Sequence, residues 1–67
     1  MMEIRVDGRR VTLARGMTVR HALIAAGVLE RVLAGARVID TWGSEVGLDG
    51  ALDDGDTLRI VERAGPR

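Results

Sequence analysis

Leu52-Asp53-Asp54-Gly55-Asp56-Thr57-Leu58-Arg59-Ile60-Val61 is the stretch on which the fold turns. Its first half is turn chemistry, with aspartates that hydrogen-bond nearby backbone and a glycine able to take a positive φ. Its second half alternates. Leu58 and Ile60 fall on one face and Thr57, Arg59 and Val61 on the other, the period-two pattern of a half-buried strand running to Glu62. Such a strand is stable only beside a neighbour, so the question becomes what lies upstream to receive it.

At the other end, Glu3-Ile4-Arg5-Val6 alternates in the same way, Asp7-Gly8 is a strong two-residue turn signal, and Arg9-Arg10-Val11-Thr12-Leu13 resumes the alternation. The spacing predicts a β-hairpin with Ile4, Val6, Val11 and Leu13 inward and Arg5, Arg10 and Thr12 outward. Arg15-Gly16 turns the chain, and Thr18 stands where an N-cap belongs. Val19, Ala22, Leu23 and Ala26 then recur at i, i+3, i+4 and i+7, an amphipathic helix that Gly27 stops. Val28 to Gly35 reads equally as a further helical turn or as the approach to a strand, since so short a run carries no decisive period. Arg37 to Trp42 reads as a strand, Gly43-Ser44 as a turn and Glu45 to Leu48 as a short return strand. Leu48 and Leu52 have the spacing of one helical turn entering the core.

The order is strand, strand, helix, one or two short strands, last strand. If the last strand lies parallel beside the first, the helix covers one face of a mixed four- to five-stranded sheet, an α+β fold of the β-grasp (ubiquitin-like) kind. It spans residues 1–67 as one domain, with no linker or repeat to divide it. Arg5, on the outer face of the first strand, is expected opposite an Asp or Glu of a neighbour.

Composition narrows the chemistry. At 67 residues a chain buries only roughly 60% of its unfolded surface, so the core is thin. Cysteine is absent, which removes disulfides, thiolate catalysis, iron–sulfur clusters and Cys-based zinc sites. All ten cations are arginine, balanced by ten acids. A net charge of zero makes nucleic acid an unlikely obligatory partner. Without lysine there is no Schiff-base chemistry. Residues 1–37 hold seven arginines against three acids, a net of +4, and residues 38–67 hold three against seven, a net of −4. Either paired elements neutralise one another or the surface is dipolar and orients a partner. No apolar run suits a signal peptide or a bilayer span, so a cytoplasmic protein without membrane association is expected.

At this point the residues resemble a family. Ile4 to Leu13, then Gly16-Met17-Thr18-Val19 opening the helix, then Leu52 to Val61 look like the ThiS/MoaD group of small β-grasp sulfur carriers, over nearly the whole chain. Related Asp-Gly-Asp endings occur in TGS domains, and the first hairpin and helix also look like those of 2Fe–2S ferredoxins, a version excluded by the missing cysteines. The resemblance implies adenylation of a terminal glycine carboxylate and its conversion to a thiocarboxylate. Here the tail reads Arg63-Ala64-Gly65-Pro66-Arg67: Ala64 replaces one glycine, Gly65 is not terminal, and Pro66 stiffens the exit. The carrier role therefore requires trimming to Gly65, with Ala64 and Gly65 as the carrier tail.

Candidate functional residues are few. Trp42, the sole aromatic, is either a core plug or an interface anchor. Arg9, Arg10, Arg15 and Arg20, with His21, are either solvated surface or an anion site near the helix start, the face a TGS-like nucleotide or RNA binder would use. The aspartates from Asp49 to Asp56 miss the calcium-loop pattern and read as turn residues. No catalytic triad, phosphate loop or dinucleotide turn is present, and no cofactor or metal is expected. The expected role is a non-catalytic accessory subunit that binds a larger protein through Trp42, Arg59, Val61 and Arg63.

Overall fold

Asp7 and Gly8 both take positive φ, 52° and 83°, the two left-handed positions a tight hairpin turn needs. They join β1 (Met2–Val6) to β2 (Arg9–Leu13), with Ile4 opposite Val11 and Met2 opposite Leu13. The computed structural model describes residues 1–62. After the hairpin come α1 (Val19–Ala26), α2 (Leu29–Leu33), β3 (Arg37–Ile39), β4 (Glu45–Val46) and β5 (Thr57–Val61). The five strands form one mixed sheet in the order β2-β1-β5-β3-β4. β5 runs parallel to β1, pairing Val6 with Leu58, and antiparallel to β3. An α+β architecture results, with both helices packed on one face of the sheet.

Residue parity sets which face is covered. Met2, Ile4, Val6, Val11, Leu13, Val38, Leu58 and Ile60 point inward and meet Val19, Ala22, Leu23 and Ala26 of α1 in one apolar cluster. All four helical positions expected from the periodicity are buried. The helix ends are closed locally. Gly27 adopts the left-handed conformation and its N–H donates to the Ile24 carbonyl, while the Val28 N–H donates to Leu23, the pair of bonds of a Schellman stop. At the other end the Thr18 N–H donates to His21 Nδ1 at 3.0 Å, which gives His21 the role that Glu or Gln plays in a capping box. His21→Ala is expected to cost about 0.5–1 kcal/mol. His21→Gln should recover most of that loss, as measured by thermal denaturation.

The ambiguous middle is helical. Val28, Leu29 and Val32 rest against the core, while Leu33 is exposed. Arg31 of α2 also pairs with Asp7 at the first turn and with Glu62 just past β5, exposed contacts of small worth.

Four expectations need correction. The strand predicted from Arg37 to Trp42 ends at Ile39, because Asp40 Oδ1 accepts the N–H groups of Trp42 and Ser44, both at 2.9 Å, and curls the chain into a loop. The return strand stops at Val46, since Gly47 opens a turn closed by the Gly50 N–H at 3.1 Å. Leu52 is buried and Leu48 half-buried, but through this turn and a bridge between Thr18 and Ala51 rather than a helical turn. Finally, Arg5 faces Arg10 and Thr57, not an acid. Glu3 instead reaches diagonally to Arg10, at 2.6 Å.

Among the described residues no helix is long and apolar enough to cross a membrane.

Candidate functional site

With α1 and α2 on one side, the opposite face of the sheet is left open among the described residues. Parity places Glu3, Arg5, Arg10, Thr12, Arg37, Arg59, Val61 and Glu45 there, all exposed, with half-buried Ile39 among them. Register then aligns them: Arg10 lies opposite Arg5, Ile39 lies between Arg59 and Glu45, and Val61 lies opposite Arg37. A depression of about 510 Å³ opens on this face, walled by Ile39, Asp40, Thr41, Gly43, Thr57 and Arg59.

Trp42 occupies the tip of the β3–β4 loop and is 80% exposed. Its backbone is tied by hydrogen bonds within the loop. Asp40 Oδ1 accepts its N–H, the Asp40 N–H donates to the Ser44 carbonyl at 2.9 Å, and Gly43 supplies a φ of 84°. The core-plug reading of Trp42 therefore does not hold. The ring lines a second, smaller cavity of about 200 Å³, backed from the core side by Val19, Leu52 and Leu58 and edged by Asp40, Asp53 and Asp56. The structure thus brings Arg59 and Val61 together on the open face and sets Trp42 in the β3–β4 loop, over a different hollow. Arg63, Ala64 and Gly65, expected to contribute to binding and to the carrier tail, lie outside the described residues.

The four arginines read as an anion site do not converge. Arg10 is on the open face, whereas Arg9 reaches over the covered side to the Ala26 carbonyl at the far end of α1. Arg15 is exposed in the turn before the helix, and Arg20 lies 3.6 Å from Asp49. The start of α1 is itself occupied, because the Val19 and Arg20 N–H groups donate to the carbonyls of Gly50 and Leu48. An anion has few free donors there.

The aspartates are engaged in turns, as their spacing suggests. Asp54 Oδ1 accepts the Glu3 N–H at 2.7 Å, and Asp56 Oδ2 accepts that of Asp53 at 2.8 Å. Among the described residues no group of three acids or histidines is placed to hold a metal. No charged or polar side chain is buried there either, so no group is desolvated in the way that usually tunes a catalytic acid or base.

Two residues of the open face, Arg5 and Arg37, were not singled out from the sequence as binding candidates. The signal existed in the alternation of β1 and β3, but it became spatial only once the strand order was known.

Fold and surface together define a small α+β protein whose exposed features are an uncovered sheet face and a presented tryptophan. No family model, curated protein or solved structure compared with the chain matches it.

Proposed function

We propose that the chain is a β-grasp module of the ThiS/MoaD-like type that acts without catalysis, as a cytoplasmic accessory subunit docking onto a larger enzyme or assembly. Its support in the fold is the placement of β5 parallel beside β1 with α1 laid across them, the arrangement the family resemblance implies. The single observation that carries the docking role is Trp42. A large aromatic 80% exposed on a hydrogen-bonded loop contributes nothing to the core, yet it is the residue type that dominates interface energetics when a partner desolvates it. The hydrogen bonds that tie the loop would lower the ordering cost of binding.

The test separates folding from binding. Trp42→Ala should change stability by less than about 0.5 kcal/mol, as exposed positions do. It should also weaken partner binding by about 2 kcal/mol, roughly 30-fold. A photo-crosslinking residue placed at position 42 in native cells should trap one large protein, identified by mass spectrometry and then used for affinity measurement with wild type and Trp42→Ala. A partner that binds both chains equally would refute the role of Trp42.

A further inference from the structure

We infer that the open face of the sheet receives an acidic segment of that partner, an extended stretch in which Asp or Glu alternates with apolar residues. The carboxylates, on the side of the stretch that faces the sheet, would sit on Arg5, Arg59 and Arg37, and the apolar residues between them would point away from it. This deepens the docking reading and rests on it.

Four consecutive strands of the sheet, β2, β1, β5 and β3, each place one arginine on the open face: Arg10, Arg5, Arg59 and Arg37. They form a diagonal stripe. Neighbouring strands lie about 4.8 Å apart and same-face residues about 6.7 Å apart along a strand, so diagonal neighbours such as Arg5 and Arg59, or Arg59 and Arg37, are spaced by about 8 Å at the backbone. Same-face side chains of an extended peptide recur at nearly that interval.

The stripe is not explained by the fold. Arg5 directly opposite Arg10 is a like-charge cross-strand pair, which opposes sheet formation. Glu3 relieves Arg10, but among the described residues Arg5, Arg37 and Arg59 make no ion pair. Elsewhere Arg31 meets two acids and Arg20 meets Asp49, Arg9 donates to the Ala26 carbonyl, and Arg15 stands in a turn; the stripe differs in gathering its free guanidiniums on one face. Three unpaired guanidiniums around an apolar centre, Ile39 and Val61, match bidentate carboxylate recognition better than a point charge would.

A protein segment suits the face better than nucleic acid. Single-stranded bases stack on aromatic rings, and the sole aromatic, Trp42, lines a different hollow. Glu3 and Glu45 also flank the stripe, which repels a long polyanion but leaves room for a short one.

The experiment uses the full chain, labelled with nitrogen-15, and three synthetic probes: a peptide alternating Glu and Val, the same peptide with Lys for Glu, and a single-stranded RNA oligonucleotide. The Glu peptide should shift the amides of β1, β3 and β5 and bind more weakly as salt rises. Arg59→Glu should weaken it about tenfold or more, and the milder Arg59→Gln by a smaller factor, with circular dichroism unchanged. No shift on the open face at millimolar peptide, an equal response to the Lys peptide, or tighter binding of RNA overturns the inference. If Arg59→Glu leaves Trp42-dependent partner binding intact, the acidic-segment inference fails while the docking reading stands.

Discussion

Leu23→Ala is expected to leave a large fraction of the chain unfolded at room temperature. Leu23 is fully buried in the middle of α1, between the hairpin strands and α2. Alanine is at least as good a helix former as leucine, so the substitution does not weaken the helix itself. What it removes is packing. Deleting a buried leucine side chain costs about 2–5 kcal/mol, the transfer term plus the cavity left behind. A domain of this length has a total stability of only about 3–10 kcal/mol on the usual per-residue scale, and with no cysteine no disulfide reinforces it. Urea denaturation followed by far-ultraviolet circular dichroism should show the midpoint falling by half or more. Leu23→Met, which conserves volume, should cost less than about 1.5 kcal/mol. The adjacent Ile24 is 55% exposed, and Ile24→Ala should change stability by no more than about 0.5 kcal/mol. Equal effects at the two positions would mean that α1 is not seated on the sheet by the face described.

Much of this arrangement was legible in the residues because the relevant signals are local or periodic. Asp7-Gly8 and Gly27 each demand a positive φ and take it. The burial of Val19, Ala22, Leu23 and Ala26 follows from spacing alone. What escaped the sequence is chemistry in which a side chain completes the backbone pairing of a distant strand. Thr41 Oγ1 accepts the Thr57 N–H at 3.0 Å and so extends the β3–β5 pairing beyond the last residue of β3. Asp54 does the same for the start of β1, 51 positions away. Asp40 shows the converse, a carboxylate that ends a strand early by capping the loop that follows. None of these partners is within reach of a sliding window. The open face was legible only in part for the same reason: Arg5, Arg37 and Arg59 are unremarkable singly and become a stripe only once the order β2-β1-β5-β3-β4 is established. Charge asymmetry between the halves resolved both ways. Arg20–Asp49 and Arg31–Glu62 neutralise across them, while Arg5, Arg37 and Arg59 make no ion pair among the described residues.

Asp7→Ala is expected to be the most damaging change among the exposed positions, at about 2–5 kcal/mol, and the reason is a missing rung. Parallel pairing of β1 with β5 proceeds by the Arg5 N–H to the Asp56 carbonyl at 3.0 Å and the Asp7 N–H to the Leu58 carbonyl at 2.9 Å. The next bond in that pattern runs from the Ile60 N–H to the backbone carbonyl of residue 7. With φ at 52° the Asp7 backbone has already turned into the hairpin, and its carboxylate takes the carbonyl's place, accepting the Ile60 N–H at 2.9 Å. The other carboxylate oxygen faces Arg31 at 3.5 Å, a solvent-exposed pair of small worth. Alanine therefore loses twice: it orphans a partly buried backbone donor, costing about 1–3 kcal/mol, and it strains a left-handed position by about 1–2 kcal/mol. Asparagine keeps an acceptor oxygen and tolerates positive φ, so Asp7→Asn should cost about 1 kcal/mol or less. Glycine relieves the strain without restoring the acceptor and should fall between the two. Hydrogen exchange reads the mechanism directly, since the Ile60 amide should lose protection in Asp7→Ala and Asp7→Gly but keep it in Asp7→Asn. Were all three variants equally destabilised, charge rather than the acceptor would be the operative property, and the ion pair with Arg31 would have to carry the closure of β5 onto the hairpin.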